Sequence, residues 1–214
     1  MTRLRTLCLV IAAASLLTAC GGAGTSKSGG TAESNAPAKL TAKFPDYVNG
    51  EWIEVTQELT VTQGWVYALE ITPKTGSSLK IVDYEIVASN YENDPLKYEP
   101  PKKEGDIKVT IQVLGDKDAT LTTPPKAGTY EASQISDGEN VYGKAWHILI
   151  TYFEGGKMKS GSINADYPTG TRAGFVKITS VSGEKLRGEI DLTMSKKGSV
   201  KGTFFAKLPA VKGY

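Results

Sequence analysis

Alternating hydrophobic and polar positions dominate the chain after Leu40. In Ile107–Val113 every odd-numbered residue is aliphatic and every even-numbered one is polar, the period-two pattern of a half-buried strand. No window of twelve or more residues there carries a clean helical stripe, although a short helix in 133–142 stays open. The pattern predicts an all-β fold of roughly ten or more strands, a single antiparallel β-sandwich or barrel-like domain. Further segments rich in β-branched and aromatic residues lie at 52–61, 65–72, 79–88, 128–132, 145–153, 158–165, 174–181, 186–194 and 200–208.

Turn-forming residues separate these segments. Glu154–Lys157 contains Gly-Gly between two strand patterns and predicts a hairpin. The last two strands share an aliphatic-basic-glycine pattern that ends at Gly188 and Gly202. A glycine inside a strand indicates either a bulge or a place where a large neighbouring side chain crosses. We therefore expect a meander of adjacent strands in the C-terminal third.

The N-terminus has the pattern of a processing signal. Arg3 and Arg5 precede the apolar run Leu7–Leu17, which is too short for a membrane span of roughly 20 residues but has the length of a secretory signal. The run ends in Leu-Thr-Ala followed by Cys20, which resembles the lipobox of bacterial lipoproteins. The resemblance implies that residues 1–19 are a signal peptide and that Cys20 is lipidated and anchors the chain in the bilayer. Gly21, rather than Asp, implies the outer membrane in a Gram-negative cell.

Residues 20–39 are rich in Gly, Ser and Ala and contain no aromatic or branched aliphatic residue. Such a segment buries too little apolar surface to offset its ordering entropy, so we expect a disordered linker. Its root-mean-square reach would be roughly 25 Å. The predicted organisation is a signal peptide at 1–19, a lipidated cysteine and linker at 20–39, and an all-β domain at 40–214.

Removal of the leader changes the charge and the thiol content. The whole chain carries 25 basic and 23 acidic side chains, but residues 1–19 contain two arginines and no acid, which leaves 23 of each sign. A charge-balanced chain is not expected to bind nucleic acid. Cys8 leaves with the leader and Cys20 carries the lipid, so the remaining chain has no free thiol for a disulfide, a nucleophile or a metal site.

Candidate catalytic chemistry is sparse. His147 is the only histidine, and alternation places it with Leu149 and Thr151 on one face of its strand and Trp146 with Ile148 on the other. A lone strand histidine is more often packed or solvated than catalytic, and zinc normally needs several His or Cys ligands. Acidic clusters at 92–94, 116–118 and 137–140 have the composition of turns. We therefore predict no catalytic residue, no metal and no cofactor.

Aromatic residues are the best candidates for a ligand site. The chain has three Trp and ten Tyr, whose rings combine an apolar body with a polar tip that suits binding surfaces. The ligand patch we predict from them consists of Trp52, Tyr84, Tyr91 and Tyr98. The alternative is ordinary packing in an all-β protein, where such residues are common.

Residues 120–208 resemble uncharacterised β-rich lipoproteins of several bacterial phyla. The resemblance rests on the segment Pro125–Tyr130 and the three closing strands, and it implies a compact β-sandwich or barrel-like domain without assigned catalytic residues. The expected function is non-catalytic: a membrane-anchored cell-envelope lipoprotein whose β-domain binds a glycan, a peptide or an envelope protein. Two alternatives stay open, a carboxylate-dependent glycan hydrolase with two facing acids, and an architectural subunit of an envelope complex.

Overall fold

The computed structural model describes residues 36–48, 50–72, 80–94, 97, 99–133, 141–164, 173–195 and 198–208, with the backbone alone at 47, 48, 52, 164, 194 and 195. These residues form strands and connecting turns, which confirms the all-β prediction. Eleven strands lie in the described part: β1 Lys39–Val48, β2 Glu51–Thr60, β3 Gln63–Ile71, β4 Ile81–Ser89, β5 Ile107–Leu114, β6 Gly128–Ala132, β7 Lys144–Glu154, β8 Lys157–Asn164, β9 Ala173–Ser182, β10 Lys185–Ser195 and β11 Gly198–Lys207.

The folded region begins slightly before the expected boundary at Leu40. The contacts group Pro37–Tyr214 into one compact unit. Ala38 is buried, and its carbonyl accepts a hydrogen bond of 2.8 Å from the Val61 amide. Strand β1 then buries Leu40 and Phe44 at alternating positions. The last residues of the predicted linker are therefore part of the fold, while the leader, Cys20 and most of the 133–142 segment lie outside the described residues.

The strands pair in two antiparallel halves. The five-stranded half has the order β8-β7-β5-β4-β3, and the six-stranded half has the order β2-β1-β11-β10-β9-β6. Strands β1 and β10 of the second half contact β8 of the first, and β2 contacts β5, so the two halves face each other. Each half buries one face of its strands in this contact, as alternation along a strand requires.

Two short parallel joints connect the halves into one sheet. Trp65 of β3 pairs with Lys207 of β11, and Glu131 and Ala132 of β6 pair with Lys144 and Ala145 of β7. Together with the long β10–β11 ladder, these joints close a circuit of eight strands. The fold thus combines the two facing layers of a sandwich with the closed pairing of a barrel.

The core between the halves is aliphatic, with a few aromatic rings. Phe44 of β1 is fully buried, and its ring centroid lies 5.7 Å from that of Tyr152 on β7. Gly161 of β8 lies directly under the Phe44 ring, so a Cβ atom at this position would collide with ring atoms. This contact fixes how closely the first strand of one half can approach the edge of the other.

The two glycines of the C-terminal strands meet different constraints. At Gly188 a Cβ atom would collide with the ring of Phe204 on the paired strand, and the β9 register shifts beside it, which confirms the expected crossing and bulge. Gly202 has φ +135°, and a Cβ atom there would collide with the Lys39 carbonyl. The crossing group at Gly202 is therefore backbone and not a large side chain.

In the part of the chain that the structure describes, no helix is long and apolar enough to cross a membrane.

Candidate binding strip on the five-stranded half

The outer face of the five-stranded half is covered at both ends and open in the middle. On β4, Asp83 and Val87 are buried whereas Glu85 between them is half-buried. On β5, Thr110 is buried on the same face whereas Gln112 is half-buried. Strand β5 is therefore covered on both faces at its ends, which differs from the half-buried strand that alternation predicts. The covering segments lie on either side of a row that crosses the strands.

One cover is the long segment that connects β4 to β5. The Trp65 indole N–H donates to the Asn93 carbonyl at 3.1 Å, and the Lys108 ammonium donates to the Glu99 carbonyl at 3.3 Å. Both side chains rise from the outer face, so these bonds hold the segment against it. Burial lowers the pKa of Lys108, and the Glu85 charge opposes that shift.

The other end of the outer face is covered by Trp146, which is the extra residue of a β-bulge in β7. Gln112 pairs with His147, but the next pair joins Val113 to Ala145, so Trp146 is the extra residue of β7. The prediction that placed Trp146 on the face opposite His147 is wrong, because a bulge turns two consecutive side chains to one side. The Trp146 indole N–H donates to the Asp83 carboxyl on the outer face at 3.1 Å.

Asp83 lies buried under this bulge. It is 1% exposed and borders a small apolar cluster of Ile81, Leu114 and Val141. Burial raises the pKa of Asp83 to about 7; the Trp146 hydrogen bond lowers it and the neighbouring Glu85 charge raises it. The carboxyl is therefore sensitive to neutral pH but inaccessible to a ligand.

A row of polar side chains occupies the open middle. Strand registers place Tyr67, Glu85, Gln112 and His147 opposite one another on β3, β4, β5 and β7. The Gln112 amide donates to Glu85 Oε1 at 2.7 Å, and Gln112 Oε1 bonds His147 Nδ1. His147 Nε2 lies 3.0 Å from Ser162 Oγ on β8. We call these five residues the polar strip.

The hydrogen bonds of the polar strip determine where its protons lie. An ionised Glu85 only accepts, so the Gln112 amide nitrogen must face it and the amide oxygen must face His147. That oxygen also only accepts, so His147 carries its proton on Nδ1. In the neutral imidazole Nε2 then holds a lone pair toward Ser162. The indole of Trp146 lies beside the histidine, with ring centroids 5.3 Å apart.

Tyr84, one of the four predicted patch residues, belongs to the core. It is 2% exposed, and its hydroxyl donates to the Thr123 carbonyl at 2.8 Å. Burial raises its pKa to about 12, with smaller contributions from Asp116 and Asp118. The prediction of Tyr84 as a surface contact is corrected: its position on β4 faces inward, where alternation with Glu85 puts it.

Tyr91 and Trp52 lie on other segments of the chain than Tyr84. Tyr91 is half-buried in the β4–β5 segment, donates to the Glu99 carbonyl at 3.0 Å, and lines a cleft of about 190 Å³. Trp52 lies on β2 of the six-stranded half, where its backbone pairs with Tyr47. Tyr98 lies outside the described residues. The structure thus does not place Tyr91 or Trp52 in one patch with Tyr84.

Sequence reasoning missed the polar strip, because it depends on which strands are neighbours. The available signal was the run of polar residues at alternate positions of β4 and β5, to which Glu85 and Gln112 belong. Across the described ranges, no three or more His, Cys, Asp or Glu residues come together as a metal site.

The chain was compared with protein-family models, curated proteins and solved structures, and no family, protein or structure matches it.

Proposed function

We propose that the chain is a lipid-anchored cell-envelope lipoprotein whose β-domain binds a hydroxyl-rich ligand, such as a glycan, at the polar strip. The anchor is supported by the basic residues, apolar run and Leu-Thr-Ala-Cys20 sequence of the N-terminus. Stable attachment takes two acyl signals, which a diacylated cysteine supplies. The linker would then hold the domain clear of the membrane surface.

The single observation that carries the binding proposal is the hydrogen-bonded row Glu85–Gln112–His147–Ser162 on an open sheet face. Its neighbours along β4 and β5 are buried, so the row is the accessible part of that face. Carboxylate, imidazole and hydroxyl groups offer both donors and acceptors, and the Tyr67 and Trp146 rings flank the polar groups with apolar surface. This combination suits a ligand that carries several hydroxyl groups.

Two alternative functions have less support. A carboxylate-dependent hydrolase needs two acids that reach the substrate, but of the neighbouring Asp83 and Glu85 one is buried. An architectural subunit would show a large apolar patch. The large hydrophobic residues exposed in the described part are Ile53, Leu69 and Met158, which lie on three different strands.

The anchor is tested with the full chain expressed in a bacterial host. We expect the parent protein in the membrane fraction, with a mass that corresponds to cleavage before Cys20 and addition of acyl chains. Cys20→Ser should lose both the acyl mass and the membrane association. Cys8→Ser is the matched control, because it removes the other thiol and should change neither. A Cys20→Ser protein that stays acylated would refute the anchor.

Ligand binding is tested with the full chain in detergent micelles on immobilised envelope polysaccharides and peptidoglycan fragments. We expect retention of one polysaccharide class that Glu85→Gln weakens at least about tenfold, since a bond to a charged group contributes on the order of 1.5–3 kcal/mol. Glu58→Gln makes the same change on exposed β2 of the other half and should bind like the parent. Equal loss in both variants would show that the polar strip is not the site.

A further inference from the structure

At one end of the polar strip, a serine hydroxyl lies within hydrogen-bond distance of a histidine. Ser162 lies on β8, the edge strand of the five-stranded half, and its side chain is exposed. Its hydroxyl oxygen is 3.0 Å from His147 Nε2, the nitrogen that holds the lone pair in the neutral ring. The opposite nitrogen is held by Gln112, which Glu85 orients in turn. A hydroxyl, a base and a group that orients the base are the parts of an activated nucleophile.

We propose that Ser162 is a nucleophile that accepts a short acyl group from a carboxylic ester. His147 acts as the general base, while Gln112 and Glu85 are positioning residues that hold its tautomer. The proposal uses the same strip as the proposed function but depends on neither the lipid anchor nor a tightly retained ligand.

Acylation needs only the ester, Ser162 and His147, and water completes the cycle. The Ser162 oxygen adds to the ester carbonyl carbon, and its proton passes to His147 Nε2. The carbon–oxygen bond to the alcohol then breaks, and the leaving alkoxide takes the proton from Nε2. This leaves acyl-Ser162 and a free alcohol. Water deprotonated by the same nitrogen restores the serine and releases the acid.

The surroundings of Ser162 favour a small acyl group. Leu149 lies directly opposite Ser162 on β7 and is half-buried, so it offers one apolar contact beside the hydroxyl. The sheet face at this point is open to water, so solvent stabilises the charge that develops on the carbonyl oxygen. We therefore expect slow transfer from activated esters, with an acyl-serine that accumulates.

The test is acetylation of the full chain, in detergent, by p-nitrophenyl acetate, with the modified serine located by peptide mass spectrometry. Ser160 is the internal control, because it projects from the same face of β8 but lies two positions further from His147 along the ladder, opposite Thr151. General-base catalysis contributes about 10²–10⁴-fold, so Ser162 should acetylate at least about 100-fold faster than Ser160. Equal rates at the two serines would overturn the proposal.

Variants separate the base from the positioning residue. His147→Gln should reduce the Ser162 rate to that of Ser160. Gln112→Leu should slow it at least about tenfold, because Nδ1–H then loses its acceptor. In the parent protein the Ser162 rate should rise with pH as the imidazole loses its proton, and this readout holds even if a variant does not fold. A rate independent of His147 and of its protonation would refute the mechanism.

The acetylation assay and the polysaccharide assay, both run on the parent protein, separate this proposal from the binding proposal. Ser162→Ala should abolish acetylation at this position, which checks that the modified residue is this serine. If Ser162 is not acetylated but the polysaccharide is retained, the nucleophile proposal alone is refuted. Acetylation of Ser162 without any polysaccharide retention would remove the binding proposal alone.

Discussion

Asp83 makes the stability of the domain depend on pH in an unusual direction. Its carboxyl is 1% exposed, accepts one hydrogen bond from Trp146, and has a pKa raised to about 7 from an ordinary value of 3.8. Between these two pH values the unfolded chain has lost the proton that the folded chain retains. Because the folded state binds more protons there, stability falls as pH rises. The favourable contribution is complete below pH 3.8 and lost as the pH reaches about 7.

The size of this effect follows from the shift. One pKa unit corresponds to 1.36 kcal/mol, so a rise from 3.8 to about 7 costs the folded protein about 4 kcal/mol at pH 8. Asp83→Asn removes the charge and keeps an oxygen that accepts the Trp146 N–H. We therefore expect the variant to be more stable than the parent at pH 8, by up to about 4 kcal/mol, and to lose most of that advantage at pH 4.

The assay is urea unfolding of parent and variant at pH 4, 6 and 8, followed by tryptophan fluorescence. The difference between the two proteins isolates Asp83 from the other carboxyl groups that titrate in this range. Asp118→Asn is the matched control, since its side chain is exposed and its ion pair with Lys126 is worth little. A variant whose advantage over the parent does not grow between pH 4 and pH 8 would refute the reasoning.

Two glycine substitutions test the close approaches. Gly161→Ala should destabilise the domain by about 1–3 kcal/mol, because its Cβ meets the Phe44 ring; Phe44→Leu should cost less in that background than in the parent, as a double-mutant cycle would measure. Gly202→Ala should cost more than Gly105→Ala. Both glycines have positive φ, but only Gly202 also meets the Lys39 carbonyl; equal losses in urea unfolding would contradict this contact.

The alternation of apolar and polar residues predicted most of the strands, because this pattern can be recognised within the sequence of a single strand. Within β5, the alternating residues Ile107, Val109, Ile111 and Val113 all lie in the main core, as alternation requires, whereas Leu114 packs in the small cluster on the outer face. The prediction for Trp146 was wrong for a physical reason: the bulge that turns it outward depends on the register of β5 against β7. A register belongs to two strands and is invisible in either one alone.

The candidate site was harder to predict than the fold. Tyr84 was selected for its residue type, yet its place on β4 makes it a core residue. His147 was set aside as a lone histidine because sequence alone does not show that Gln112 and Ser162 lie on the strands at its two sides. The polar strip draws its members from five strands spread over about half the chain, and only strand pairing brings them together.

The position of β11 has a consequence for how the chain folds. This last strand pairs with β10 on one side, and on the other with β1 and, through a single residue pair, with β3. Residue 202 thus meets residue 40, so the six-stranded half is not complete until β11 has been synthesised. Such long-range closure is typical of domains that fold in milliseconds to seconds. A domain closed in this way would remain incompletely folded until β11 has paired with β1 and β10.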